Sequence, residues 1–300
     1  MTHLFIINPA AGSRDQTESY RSAITDVCSE KGLNYKIEIS QAPGQCRQIA
    51  HDAAATGEEC RIYACGGDGT LNEIASGVVG YDNVAVTMFA GGSGNDFIRI
   101  FNDTEPFHNL HRLLDCEETR FDLIKCNEDY AVNVCSVGLD ARIGTDIARY
   151  KRFPLLHGFR AYAASALVNV IKGIGEHYIV EVNGEKLDRK MTLVCACNGR
   201  YYGGGFNPAP LADPTDGLLD VLLIRKVSRL QVATAIGRYK NGRADEFPQM
   251  IRHIKTDHLT IHCDKPTPIN LDGELRHSAA VDVQVLPKAL RFFYPKGLHF

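Results

Sequence analysis

The sequence predicts an α/β domain followed by a β-rich sandwich, and three observations carry that expectation. The chain has 300 residues, which supports a sizeable core and more naturally two domains than one. Up to about Leu123, short apolar runs alternate with amphipathic stretches, the pattern of strand–helix units. Beyond Leu123 strand-like runs dominate and helical stretches become few.

In chain order, Leu4–Ile7 is a buried-strand run that ends in Asn8-Pro9-Ala10-Ala11-Gly12. Tyr20, Ala23, Ile24, Val27 and Cys28 then share one face of a helix. Tyr35, Ile37 and Ile39 alternate as in a strand, and Cys46, Ile49, Ala50, Ala53 and Ala54 return to the helical period. Arg61–Cys65 reads as a strand, Leu71–Val79 as a helix and Val84–Phe89 as a strand. Such repetition argues for a parallel sheet wrapped by helices. In the second half, Tyr130–Val137, Tyr178–Val182, Met191–Asn198, Leu218–Ile224, Leu259–Cys263 and Val281–Leu286 read as strands. Asn183-Gly184 is a strong hairpin signal, and the helical stretches are Ala161–Lys172 and Ser228–Tyr239.

Composition narrows the function. Hydrophobic residues make up 44% and charged residues 23%, the profile of a globular protein, and a net charge of −3 gives no reason to expect nucleic acid as a partner. The short basic cluster Arg149-Tyr150-Lys151-Arg152 reads as a solvated face, with anionic lipid headgroups as the other reading. The cysteines are scattered through apolar runs with no Cys-x-x-Cys pair, and the start lacks a signal-peptide pattern, so buried thiols in a reducing cytosol are expected. No stretch approaches the ~20 apolar residues of a membrane span, so any membrane contact is expected to be peripheral.

The chemistry is concentrated in glycine-rich turns. Gly66-Gly67-Asp68-Gly69-Thr70-Leu71-Asn72-Glu73 follows the strand ending at Cys65. Ligands of parallel sheets bind beyond the carboxyl ends of the strands, glycine lets backbone N–H groups approach phosphate, and a helix N-terminus adds partial positive charge. Asp68 would repel bare phosphate, which suggests a Mg²⁺ ion or its water there. Gly91-Gly92-Ser93-Gly94-Asn95-Asp96-Phe97 follows the next strand: Ser93 can donate to phosphate, while Asn95 and Asp96 can fix the loop or reach toward an acceptor hydroxyl. With Asn8–Gly12, that makes three turns on one rim, able to converge on a single nucleotide. Leu271-Asp272-Gly273-Glu274 offers the best base for an acceptor hydroxyl in the second half, although Asp-Gly is also a common hairpin turn.

Together these segments resemble the diacylglycerol kinase catalytic domain family, which includes bacterial diacylglycerol kinases, sphingosine kinases and ceramide kinases. The resemblance runs from Asn8 to Pro295 and takes in Phe121-Asp122-Leu123, Asn198-Gly199-Arg200-Tyr201-Tyr202-Gly203-Gly204-Gly205 and Asp216-Gly217-Leu218-Leu219-Asp220. It implies an amino-terminal domain like that of NAD kinases and phosphofructokinases, beside a β-sandwich domain. The implied division is 1–124 plus 289–300 for the ATP-binding domain and 125–288 for the sandwich. It also implies that Asn8, Pro9, Ala10, Ala11, Gly12, Ser40, Gly66, Gly67, Asp68, Gly69, Thr70, Leu71, Asn72 and Ser93 line the ATP site. Asp68 would act through the catalytic Mg²⁺, Asp122 would support its water network, and Glu274 would be the general base. A second Mg²⁺ site would use the Asp216 carboxylate with backbone carbonyls of Asp213 and Leu218, a solvated acidic turn being the alternative.

Two departures stand out: Ala90-Gly91-Gly92-Ser93-Gly94 replaces the usual Pro-x-Gly-Thr-x, and Ala11 stands where Ser is common. The function implied is transfer of the ATP γ-phosphoryl group to a lipid hydroxyl, with diacylglycerol as leading acceptor, in the cytoplasm at a membrane surface. Apolar positions in Ala161–Ile171 and the Tyr201–Gly205 loop could line a lipid groove, although Ala161–Ile171 also reads as a core helix. A kinase of a soluble substrate, like NAD kinase, and a non-catalytic nucleotide-binding regulator are the rival readings. A homodimer through an edge strand is left open.

Overall fold

The computed structural model describes residues 1–92, 94–143 and 175–300. Ser93, Arg149–Arg152 and Ala161–Lys172 lie outside the described residues.

The first half is the strand–helix alternation expected. Strands β1 (Thr2–Ile7), β2 (Tyr35–Ile39), β3 (Cys60–Gly66) and β4 (Val84–Ala90) pair in parallel in the order 2-1-3-4. Helices α1 (Thr17–Glu30), α2 (Gln45–Ala55) and α3 (Asp68–Val78) connect them. β4 is buried along its whole length and β1 over all but its first residue, which is why both read as continuous apolar runs. Each βα turn therefore emerges at one carboxyl-terminal rim, where α3 begins directly after β3.

A short helix α4 (Leu110–Leu114) leads into antiparallel strands: β5 (Cys116–Cys126), β6 (Asp129–Ala131), β7 (Val134–Gly138), β8 (Glu176–Val182), β9 (Glu185–Cys197), β10 (Leu219–Arg225), β11 (Ile251–Thr256), β12 (His258–Leu271) and β13 (Glu274–Pro295). Helix α5 (Arg229–Lys240) lies between β10 and β11 and opens with a Ser228–Gln231 capping box. Asn183 and Gly184, at φ 49° and 75°, make the tight β8–β9 hairpin that Asn-Gly predicts. The apolar residues of β5–β13 form one core between sandwich layers around Val180, Val194, Leu259 and Val283. A second cluster around Leu193, Cys195, Tyr239 and Met250 lies under α5.

Three strand features differ from the sequence pattern. The run Tyr130–Val137 is split between β6 and β7, because the N–H groups of Val132, Asn133 and Val134 turn to the Asp272 carboxylate instead of a strand partner. β5 begins with mostly exposed, charged residues and so carries little apolar signal. β13 is far longer than Val281–Leu286. Pro287 looks like a stop, but the strand absorbs it in a register shift between Leu286 and Leu290, with Lys288 at φ 54°, and continues to Pro295.

That continuation joins the two halves. Leu290, Phe292, Phe293 and Tyr294 belong to the core built by the first 123 residues. Phe292 pairs with Val86 of β4, and Leu290–Pro295 pair with the start of β5. Phe97, Phe101, Phe121, Phe292 and Phe300 surround this joint with ring centroids 4.9–6.4 Å apart.

Candidate active site

The three glycine turns touch one another at the rim. Asn8 donates from Nδ2 to Thr70 Oγ1 at 3.0 Å, and its own Oδ1 accepts the Ala10 N–H at 3.0 Å, so the first turn is tied to the start of α3. The N–H groups of Gly91 and Gly92 donate to the Gly66 carbonyl at 2.9 and 3.2 Å, tying the third turn to the second. The approach leaves no room for side chains: a Cβ on Gly92 would lie 2.5 Å from Gly67 Cα, and one on Gly66 2.3 Å from Thr70 Oγ1. Gly67 is the N-cap of α3 with no side chain capping it, so the first-turn amides of an 11-residue helix stay available at the rim.

Ser40 is buried at the end of β2, its N–H bonded to the Ile7 carbonyl at 2.9 Å and its hydroxyl beside the Cys46 thiol. Glu73, last of the octapeptide, faces away from the turns: it accepts the N–H groups of Gly44 and Cys46 at 3.0 and 3.1 Å and caps α2. Leu71 is buried in the core, Gly69 is open to solvent, and Pro9, Ala11 and Gly12 complete the first turn.

Asp68 faces the third turn. Its Oδ1 accepts the Phe97 N–H at 3.1 Å, and its Oδ2 would lie 3.0 Å from a Cβ placed on Gly94. Asp96 shares this space. It is buried, its Oδ2 accepts the Gly204 N–H at 2.7 Å, and Arg99 Nε lies 3.3 Å from its Oδ1. Burial, and secondly the charge of Asp68, pushes the Asp96 carboxyl up to about 6. Asp96 Oδ1 and Asn95 Oδ1 are both buried without a hydrogen-bond donor. Asp68 Oδ2 and Asp96 Oδ2 both face Gly94, and a pair of carboxylates suits Mg²⁺, which commonly takes one or two carboxylates plus phosphate oxygens and water. The sequence marks Asp96 as able to fix the loop or reach toward an acceptor hydroxyl, but not its partner, Gly204, which is more than a hundred residues away.

The second domain reaches the same place through α3. Asn72 Nδ2 donates to the Tyr130 carbonyl and to Asp272 Oδ2, both at 3.0 Å. Asp272 and Gly273, at φ 51° and 98°, form the β12–β13 hairpin turn. The Asp272 carboxylate also accepts the N–H groups of Val132 (2.5 Å), Asn133 (3.0 Å) and Val134 (2.8 Å). Its oxygens are thereby spent on holding the joint, and it has little capacity left to take a proton from a substrate. Glu274, two residues on, is exposed and makes no side-chain hydrogen bond or ion pair among the described residues. Of the two acids, Glu274 is the one with a free carboxylate.

Asp122 makes its contacts at the joint between the halves. It is fully buried, and its carboxylate accepts the N–H groups of Lys288 (2.6 Å) and Gly217 (2.8 Å), while its own N–H donates to the Pro214 carbonyl at 2.7 Å. Its charged neighbours are Asp216 and Asp213 rather than Asp68. It braces the β13 kink against the Asp213–Leu218 turn. In that turn Asp213 Oδ1 accepts from Thr215 N and Oγ1 at 2.9 and 2.6 Å, and Asp216 Oδ1 accepts the Leu218 N–H at 2.9 Å. Among the described residues no group of three or more His, Cys, Asp or Glu is gathered as a metal cluster.

The segment 198–205 spans the cleft. Asn198 Nδ2 donates to the carbonyls of Asp122 and Val132, Arg200 Nε donates to the Ala212 carbonyl, and Gly204 meets Asp96. A polar cavity of about 460 Å³ opens between Gly94, Arg99, His108 and Tyr201. A second, mostly apolar cavity of about 100 Å³ lies under α5, between Leu139, Tyr202, Val232, Tyr239 and Met250, with Asp140 at its wall. Burial pushes the Asp140 carboxyl up to about 6. No helix among the described residues is long and apolar enough to cross a membrane.

Residues 2–126 match the diacylglycerol kinase catalytic domain, and residues 133–294 match the YegS C-terminal NAD kinase beta sandwich-like domain. A relative from Staphylococcus haemolyticus named "Putative lipid kinase SH2167" is 24% identical over 275 residues, covering 90% of this chain and 87% of its own. One from Staphylococcus epidermidis with a name of the same kind is 23% identical over 271 residues, covering 90% and 87%. A crystal structure of a diacylglycerol kinase from Bacillus anthracis superposes with a TM-score of 0.70 at 18% identity, covering 98% of this chain and 97% of that one.

Proposed function

The chain belongs to the bacterial diacylglycerol and lipid kinase family, and from that premise we propose that it transfers the γ-phosphoryl group of ATP to a lipid hydroxyl in a Mg²⁺-dependent reaction. Diacylglycerol is the proposed acceptor and phosphatidic acid the product. The observation that carries the reading is the pair of hydrogen bonds from Asn72. They join the helix that begins at the phosphate turn to the hairpin that presents Glu274.

In this reading residues 1–124 with 289–300 bind the nucleotide, and 125–288 present the acceptor. The backbone of Asn8–Gly12 and Gly66–Thr70, with the N-terminus of α3, receives the phosphates, and Ser40 contributes to the same pocket; Ser93, outside the described residues, is the proposed hydroxyl donor of the third turn. Asp68 and Asp96 would hold Mg²⁺. Such an ion would neutralise charge that develops in transfer. Glu274 accepts the proton of the acceptor hydroxyl, and Asp272 fixes the hairpin that aims it. Asp122 holds the joint between the halves, a positioning role. An enzyme of this kind works at a membrane surface from the cytoplasmic side.

The test is ATP consumption by the purified chain with Mg²⁺ and a panel of micellar lipid alcohols, with Glu274→Ala as control. Turnover on one lipid that depends on Glu274 supports the reading. ATP binding without phosphorylation of any lipid would move it to a regulator or to a kinase of a soluble substrate.

A further inference from the structure

The turn Asp213-Pro214-Thr215-Asp216-Gly217-Leu218, which the family resemblance marks for a second Mg²⁺, already has a cation from its own chain. We propose that the Lys255 ammonium takes the place of the divalent ion there, so that the second domain is held together at this turn without metal. The inference rests on the family membership and not on kinase activity.

The position of Lys255 follows from strand register. In the antiparallel β10–β11 pair, Lys255 stands opposite Asp220, and His253 opposite Leu222. Lys255 Nζ donates to Asp216 Oδ2 at 2.6 Å and lies 3.5 Å from Asp220 Oδ2. Asp220 is 1% exposed; its Oδ1 meets His253 Nε2 at 2.6 Å, while its Oδ2 has no hydrogen-bond donor and the lysine as its nearest positive charge. The other oxygens are used locally: Asp216 Oδ1 takes the Leu218 N–H, and Thr215 takes Asp213 Oδ1. The Asp213 carbonyl, an expected metal ligand, accepts the Asp216 N–H at 3.3 Å.

Mg²⁺ requires near-octahedral oxygens at about 2.0–2.1 Å. A dication on Asp216 Oδ2 would sit within about 4–5 Å of the ammonium, and their repulsion opposes both being present. The lysine's reach matters because the same turn is bonded to Asp122 through Gly217 and Pro214, and so to the β13 kink.

The experiment compares thermal unfolding of the full chain after EDTA dialysis, with and without millimolar MgCl₂ and in the absence of nucleotide. The wild-type midpoint is expected to move by less than about 1 °C. Lys255→Met is expected to unfold about 3–6 °C lower, and Mg²⁺ to recover part of that loss, since two carboxylates are left for it. The recovery should disappear in Lys255→Met/Asp216→Asn. A wild-type midpoint that Mg²⁺ raises by several degrees, but not in Asp216→Asn, overturns the proposal, as does a Lys255→Met chain that Mg²⁺ does not stabilise. If Lys255→Met does not fold, Mn²⁺ binding to the wild type decides, read by electron paramagnetic resonance. Binding lost in Asp216→Asn overturns the proposal; no Asp216-dependent binding upholds it. No arm measures turnover, so the outcome is separate from the kinase assignment.

Discussion

At the scale of single residues, the site separates acids that hold structure from acids left free. Asp272 and Asp122 spend their oxygens on backbone N–H groups, whereas Glu274 is exposed. Glu274→Ala is therefore expected to lower turnover at least about 10²-fold while leaving the unfolding midpoint unchanged. A loss of only a few-fold would remove Glu274 from the base role. Asp68→Ala should cost at least as much turnover, read alongside ATP affinity at varied Mg²⁺. Gly92→Ala tests the turns: its Cβ would fall 2.5 Å from backbone, so the second and third turns must part. We expect KM for ATP to rise about tenfold or more, measured at saturating lipid. Much of this was legible, because glycines clustered just past a strand end mark a place where backbones must come close. The bond between Asp96 and Gly204 was not, since nothing in sequence pairs a carboxylate with an amide so far along the chain.

At the scale of elements, α3 serves two ends. Its N-terminus faces the rim of glycine turns, and Asn72, one turn on, reaches the second domain. Asn72→Ala removes one hydrogen bond to a carbonyl and one to a carboxylate, so kcat should fall about 10- to 100-fold from misalignment. ATP affinity, measured by direct titration, should change less than kcat; an equal loss in both would place Asn72 in nucleotide binding alone. The parallel strands were readable because burial on both faces leaves only apolar residues. The breaks in the second half were not. β6 and β7 part because three amides serve Asp272, and β13 passes a proline by shifting register, neither of which has an apolar period.

At the scale of the whole molecule, the two halves share one strand. A chain ending at Leu286 retains every glycine turn, yet we expect it to be insoluble or to lack a cooperative unfolding transition. Leu290–Tyr294 complete the first core, and Phe292 closes on β4. Recovery of a soluble, ATP-binding product from that truncation would show the first domain to be self-sufficient. The same arrangement bears on how the protein is made. During synthesis β4 emerges early, but the strand that covers it, paired through Phe292 and Val86, follows only about two hundred residues later. Until then β4, whose residues are apolar but for Thr87, is an unpaired sheet edge, the kind of surface that recruits other chains. The nascent polypeptide must wait, half-built, for a strand so far along the chain, and its yield in a cell should depend on chaperone capacity more than its native-state stability would suggest.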